Sequence, residues 1–91
     1  MDVMANIEAG KYTHDGPFPQ GPSRLAERTR MSYYKAQDIL TAQLRADLEA
    51  EHGLAGHPKA QLLWNLAYDM GHGYGQAEVA YKYATLAELL K

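Results

Sequence analysis

The feature that most constrains this chain is a long stretch, from Ser23 to His52, that contains neither glycine nor proline. Pro22 or Ser23 suits the start of a helix, and Gly53 supplies a stop at its C-terminus. Such a helix would be about 45 Å long at a rise of 1.5 Å per residue. Residues at spacings of three and four form one face of it: Leu25, Thr29, Tyr33, Ala36, Leu40 and Leu44. We therefore predict an all-α fold.

A second stretch with helical spacing follows Pro58, which suits the first turn of a helix. Its apolar residues keep the same spacing across the segment GHGYG. They are Leu63, Leu66, Met70, Tyr74, Ala77, Tyr81 and Ala84. The pattern favours one continuous or kinked helix, and a true break at the glycines is the open alternative. Because an interior glycine costs about 1 kcal/mol relative to alanine, we expect Gly71 and Gly75 to permit close approach of another helix.

The beginning of the chain has a different composition, because the segment KYTHDGPFPQGPS is rich in proline and glycine. These residues exclude a regular helix or a central strand. We assign residues 1–21 to an extended N-terminal arm and residues 22–91 to an α-helical hairpin domain. Within the arm, residues 2–9 could form one or two helical turns. Tyr12 and Phe18 would be its apolar anchors on whatever surface it contacts.

The size of the chain and its charge pattern favour association of copies. A chain of 91 residues is one small domain whose core leaves a modest surplus of stability. The first long helix has basic residues near its start and acidic residues near its end, opposite to the order that the helix dipole prefers. An antiparallel copy would pair the two ends. We thus predict a homodimer in which two hairpins of two long antiparallel helices form a four-helix arrangement, with a plain solvated face as the alternative.

Composition also restricts the cellular location and the kinds of chemistry that we expect of this chain. The absence of cysteine removes disulfides, thiolate catalysis and the usual structural zinc sites. No apolar run is long enough to span a membrane, and the N-terminus lacks the pattern of a secretory signal, so we expect a cytoplasmic protein. A net charge of −2 does not suggest bulk binding of nucleic acid or binding to a membrane.

Two groups of side chains invite a chemical interpretation. Arg24, Arg28 and Lys35 fall within a narrow arc of the first helix and could grip phosphate groups, although a solvated basic face explains them equally. Asp69 and His72 lie three positions apart on one helix face, but two ligands do not make a metal site. No set of serine, histidine and acid is apparent, so we predict neither catalytic residues nor a cofactor.

The two ends of the chain carry a resemblance. The start NIEAGKY, followed by PFP, and the C-terminal half with HPKAQLLW, GHGYG and AEVAY resemble small accessory proteins of tailed phages, whose function is uncharacterised. Gly73 stands where those proteins have serine, so the resemblance brings no reactive hydroxyl at this position. It implies a phage or prophage gene product that acts in the cytoplasm of a bacterial host. It transfers no activity and no functional residue.

These observations favour a non-enzymatic, phage-derived binding protein that engages a host protein and inhibits or redirects it, with defence or nucleic-acid machinery as the target class. The predicted partner-binding residues are Tyr12, Phe18, Gly71, His72, Tyr74 and Gly75. A first alternative is a small-molecule or nucleotide-binding protein that uses the basic stripe and the glycine segment. A second alternative is a structural component of the virion.

Overall fold

The computed structural model describes residues 2–12 and 33–90, and the regular secondary structure in these ranges is entirely helical. The α-helices are α1 (Val3–Glu8), α2 (Tyr33–Glu51), α3 (Ala60–Gly71) and α4 (Gln76–Ala87), with short 3-10 turns at His72–Tyr74 and Glu88–Leu90. The predicted all-α class is confirmed for this part of the chain. None of these helices combines the length and the apolarity that crossing a bilayer requires.

Helix α1 confirms the helical turns predicted near the N-terminus. The Asp2 carboxylate caps the helix by accepting a hydrogen bond of 3.1 Å from the Ala5 backbone N–H. Val3 is fully buried, and its backbone N–H donates to the Glu51 carboxylate of α2 at 3.1 Å. Because residues 2–12 pack into the common core, their assignment to a separate extended arm is wrong. Residues 13–21 of the predicted arm, with Phe18, lie outside the described residues.

Tyr12 fastens this N-terminal segment to α2. Its ring is fully buried, and its hydroxyl donates to Asp47 Oδ2 at 2.5 Å. The Gln43 amide donates to the other carboxylate oxygen at 2.8 Å, and Lys11 Nζ lies 3.5 Å from Oδ2. Burial, together with the hydrogen bond to Asp47, holds the pKa of the Tyr12 phenol well above its usual range. The prediction that Tyr12 contacts a partner is wrong, because this ring belongs to the interior of the chain.

Helix α2 confirms the predicted apolar face over the part that is described. The buried residues of that face are Ala36, Leu40 and Leu44. Leu48 continues the face by one more turn. The predicted stop is also confirmed, since α2 ends at Glu51 and Gly53 adopts a φ of +69°, which glycine accepts without strain. The predicted start at Pro22 or Ser23 lies outside the described residues.

The second long helix does not exist as predicted, because the chain reverses at the glycine segment. Helix α3 ends at Gly71, and Gly75 has φ +110° and ψ 174°, which lies outside the helical region. A Cβ atom on Gly71 would lie 2.7 Å from the Val79 backbone nitrogen, so only glycine lets the two backbones come this close. The expected close approach is therefore present, but the neighbour is α4 of the same chain. The open alternative of a true break is the one that holds.

This reversal changes which side chains are buried. Helices α3 and α4 pack in opposite directions, because Gly71 meets Val79 near the turn while Leu62 lies beside Leu89 at the far ends. Of the predicted apolar stripe, Leu63 is buried. The following members are exposed instead: Leu66, Met70, Tyr74, Ala77 and Tyr81. A continuous helix would have kept them on one face, whereas the turn rotates α4 relative to α3.

One core holds all four helices together. Its buried members are Val3, Tyr12, Leu44, Leu48, Leu54, Leu63, Trp64, Ala67, Val79, Ala80, Tyr83 and Ala87. Tyr83 is fully buried, and its ring lies 5.6 Å from the ring of His52. Its hydroxyl makes no hydrogen bond within the described part of the chain. Burial raises the pKa of Tyr83 to about 12, and the negative charge of Glu49 adds to the effect.

The glycine turn yields a first prediction. Gly71→Ala should lower the free energy of unfolding by about 1–3 kcal/mol, because the new methyl group overlaps the Val79 backbone, which cannot move aside cheaply. The control is Gly73→Ala, where a Cβ atom meets nothing within 4 Å. It should change stability by no more than about 0.5 kcal/mol. Urea unfolding of both variants measures the difference, and equal effects would contradict the close approach.

The two buried tyrosines should respond differently to loss of the hydroxyl. Tyr12→Phe removes a donor from the buried Asp47 carboxylate and should cost about 1–3 kcal/mol at pH 7. Tyr83→Phe removes a buried hydroxyl that has no hydrogen bond in the described residues, so stability should stay equal or rise. Urea unfolding at neutral pH measures both changes.

The same tyrosines predict a loss of stability in alkali. In the unfolded chain a phenol ionises near pH 10, whereas the folded chain keeps both protons to higher pH. The unfolded state then binds fewer protons, so the free energy of unfolding falls as pH rises above about 10. Tyr83→Phe should make this fall shallower than in the wild type. A wild-type stability that stays constant up to pH 12 would contradict the burial of these phenols.

Candidate interaction surface at the glycine turn

The turn between α3 and α4 is held by its own hydrogen bonds. The Gly75 N–H donates to the His72 carbonyl at 3.3 Å, and the Val79 N–H donates to the Gly75 carbonyl at 3.2 Å. The His72 ring stacks on Tyr68 with centroids 4.9 Å apart and planes 7° from parallel, and its Nδ1 lies 2.9 Å from the Tyr68 carbonyl oxygen. These contacts stabilise the turn, and His72 Nδ1, which donates to the carbonyl, has no lone pair left for chemistry.

A group of exposed side chains surrounds the outer side of this turn. Tyr74 is 85% exposed at the end of the 3-10 turn, and Tyr81 is 61% exposed on α4. Lys82 lies over the Tyr81 ring at 5.8 Å and forms an ion pair of 3.5 Å with Glu78. The last member is Met70, which lines a shallow hollow together with Tyr74 and this ion pair. We call these five residues, Met70, Tyr74, Glu78, Tyr81 and Lys82, the turn face.

The inner side of the turn forms a small polar cleft against α2. Its volume is about 170 Å³, and Gln37, Thr41, Leu44, Tyr68, His72, Gly75, Gln76 and Val79 line it. The amide of Gln37 donates to the Thr41 hydroxyl at 3.4 Å, and the amide of Gln76 donates to the Tyr12 carbonyl at 3.0 Å. The two amide side chains thus already have partners within the chain.

The structure brings together some of the predicted partner-binding residues and separates others. His72, Tyr74 and Gly75 are exposed at one turn, as a contact surface requires. Gly71 is buried against Val79, so the prediction that it contacts a partner is wrong. Of the three residues predicted to bind phosphate, only Lys35 falls within the described residues, and it is exposed on α2. Arg24 and Arg28 lie outside the described residues. Among the residues that the structure describes, no group of three or more His, Asp or Glu side chains could hold a metal ion.

The sequence analysis did not identify Met70 and Tyr81, the two further apolar members of the turn face. Met70 and Tyr81 were expected in the core because their spacing fits a continuous helix. Glu78 and Lys82 carried the signal that could have corrected this, since an i,i+4 pair of opposite charge is typical of a solvent-facing helix surface. Tyr81 lies next to Lys82, so a helix face centred on this pair would have placed it towards solvent.

A separate apolar groove lies between the far ends of α3 and α4. Leu62 and Leu66 are 57% and 44% exposed, and Leu89 is 78% exposed. The groove has a volume of about 190 Å³, and its lining consists of Lys59, Leu62, Leu63, Leu66, Leu86, Leu89 and Leu90. Contiguous exposed apolar side chains are candidates for a surface that contacts another molecule, so the groove is a second candidate surface.

Comparison with known proteins places the whole described chain in one family. The profile of a protein family matches residues 2–91, and its description reads "Family of unknown function (DUF8546)". Comparison with curated proteins and with solved structures gave no match. The family match includes α1 as well as α4, in agreement with the single core that joins them.

Proposed function

The chain belongs to this family of unknown function, and we propose that it is a non-enzymatic binding protein that docks on another protein through the turn face. The observation that carries the proposal is the exposure of Tyr74, 85% of which faces solvent on a turn that is fixed by hydrogen bonds. A large aromatic ring held outward in this way gains contact area when a partner covers it, and loses little conformational entropy.

The composition of the turn face supports the same interpretation. Tyrosine and methionine are enriched at the centres of protein interfaces, whereas isolated charges are depleted there. The two charges of the turn face, Glu78 and Lys82, already neutralise each other at 3.5 Å. A partner therefore meets a surface of no net charge, with Tyr74, Tyr81 and Met70 as apolar anchors. Such anchors carry most of the binding energy in known interfaces.

The identity of the partner class follows from the resemblance rather than from the geometry. The N-terminal and C-terminal motifs resemble tailed-phage accessory proteins, so we propose a protein of a bacterial host as the target. Occupation of a host surface by a rigid aromatic turn would inhibit or redirect that protein without any chemical step. The proposal gives His72 a supporting role, because its ring stacks on Tyr68 and stabilises the turn.

A small-molecule ligand is the competing candidate, and the polar cleft is the observation that favours it. Its lining offers the Thr41 hydroxyl, the His72 ring and the backbone of Gly75 around about 170 Å³. This space is smaller than most ligand sites, which span about 300–1,000 Å³. Thermal-shift measurements with nucleotides separate the two candidates, because a ligand that binds the folded state raises the melting temperature.

The proposal is tested by affinity capture from a bacterial lysate, followed by measurement of the dissociation constant for the captured protein. Tyr74→Ala should weaken binding by about tenfold or more, as expected for an aromatic anchor. Tyr34→Ala is the matched control, because Tyr34 is a tyrosine of similar exposure, 80%, that lies on α2 and is not part of the turn face. It should leave the dissociation constant unchanged.

Two results would contradict the proposal. The first is a captured protein that binds the Tyr74→Ala, Tyr81→Ala double variant as tightly as the wild type. The second is a nucleotide that raises the melting temperature by several degrees and whose effect disappears with Thr41→Val, since the polar cleft would then be the binding site.

A further inference from the structure

Lys59, which caps the start of α3, and three residues on the outward face of the helix follow one another at spacings of three, four and three: Leu62, Leu66 and Asp69. This spacing is the a/d pattern of a coiled-coil seam, in which each side chain packs between side chains of a facing helix. Leu62 and Leu66 are 57% and 44% exposed, so no helix in the described part of the chain covers them. We call these four residues the α3 seam.

The α3 seam is distinct from the face that builds the core. The core face of α3 contains Leu63, Trp64 and Ala67, all of which are buried. Helix α4 borders the seam along one edge, where Leu86 and Leu90 are half-buried and Leu89 projects into solvent. Lys59, Leu62 and Leu66 of the seam therefore line the apolar groove, with α4 along one side and none of the described residues on the other.

The charges at the two ends of the seam are arranged symmetrically about its middle. Leu62 and Leu66 lie two positions on either side of Trp64, and Lys59 and Asp69 lie five positions on either side. Within the described residues neither Lys59 nor Asp69 forms an ion pair, and both are exposed. Each end of the seam thus presents a charge of opposite sign without a partner in this part of the chain.

We propose that a second copy of this chain occupies the groove, with the two α3 helices packed antiparallel across their seams. In this arrangement Leu62 lies opposite Leu66 of the partner subunit, and Lys59 lies opposite Asp69 of the partner subunit. A two-fold axis repeats both pairs, so all four residues of each seam have a partner in the dimer. A parallel arrangement would place Lys59 against Lys59 of the partner subunit, which like-charge repulsion disfavours.

This face differs from the one that helix charge alone suggests. The acidic end of α2 was expected to pair with the basic end of a second copy, but its carboxylates are engaged within the chain. Asp47 accepts from Tyr12, Glu49 pairs with Arg45 at 3.0 Å, and Glu51 accepts from the Val3 backbone. Within residues 2–12 and 33–90 the charges of the α3 seam have no such partners, so the seam is the surface that a second copy would complete.

The dimer goes beyond the proposed function and does not rest on it. Tyr74 lies beyond the end of α3 and Tyr81 lies on α4, so neither belongs to the seam. A dimer built on the seam presents two turn faces. Two faces on one particle bind a partner that offers two sites more tightly than one face does.

The test is sedimentation equilibrium of the full chain over a dilution series. The wild type should be a dimer that dissociates on dilution. Leu66→Lys should raise the dissociation constant of the dimer about 30-fold or more, since it places a charge at the centre of the seam. Ile39→Lys is the matched control, because Ile39 is 43% exposed on α2 and should leave the dimer intact. Circular dichroism confirms that both variants retain their helices.

Charge reversal tests the antiparallel register. Lys59→Glu and Asp69→Lys should each weaken the dimer about tenfold, because each places like charges opposite one another. The double variant, which exchanges the two charges, should restore the wild-type dissociation constant to within about threefold. Three results overturn the proposal: a monomer at every concentration, a dimer that Leu66→Lys leaves intact, or a double variant that is not restored.

Discussion

The close approach of Gly71 to the backbone of Val79 is the contact on which the rest of this structure depends. A side chain at residue 71 would need the space that the Val79 backbone nitrogen occupies, 2.7 Å from the position of a Cβ atom. Because glycine has no side chain to fill this space, α4 can fold back along α3 directly after the turn. Tyr83, Val79 and Ala80 then reach the core, and Tyr74 and Tyr81 are directed to solvent. The turn face and the open groove are both consequences of this reversal.

A second constraint is the buried carboxylate of Asp47, which is 4% exposed. A charge in this position is costly unless hydrogen bonds compensate it, and Tyr12 and Gln43 supply those bonds. The hydrogen bond from Tyr12 to Asp47 therefore holds the segment after α1 against α2. The N-terminal segment also helps to explain why α2 tolerates acidic residues in its C-terminal half in spite of the helix dipole, since Tyr12 donates to Asp47 and the Val3 backbone donates to Glu51.

The all-α class, the end of α2 and its apolar face could be predicted from sequence, because each depends on local properties of the backbone and on helical spacing. Ala36, Leu40 and Leu44 are buried as that spacing requires. The reversal at the glycine segment could not be predicted from helical spacing. Spacings of three and four happened to continue from Met70 through Tyr74 to Ala77, and periodicity does not reveal whether the helix axis continues. Tertiary packing of Gly71 on Val79 decided the outcome.

The candidate surfaces, like the fold, were predicted only where local sequence determines exposure. Tyr74 and His72 were predicted as contact residues from their place among glycines, and both are exposed. Tyr12 was predicted as an apolar anchor of an extended arm and is buried instead, because it donates to Asp47, which lies 35 positions away in sequence. The apolar groove was missed, since Leu66 was assigned to the same apolar face as the core residue Leu63. A side chain that serves a core and one that serves an interface have the same chemistry, and only the fold distinguishes them.

The reversal can be measured directly by the distance between spin labels at two positions. The chain contains no cysteine, so Asn65→Cys and Thr85→Cys give a specific pair on exposed surfaces of α3 and α4. Labelled chains diluted with unlabelled chains report the distance within one copy. The packed helices place the two backbones about 10 Å apart, the usual separation of neighbouring helices. A continuous helix would place them about 30 Å apart, and that distance would contradict the account.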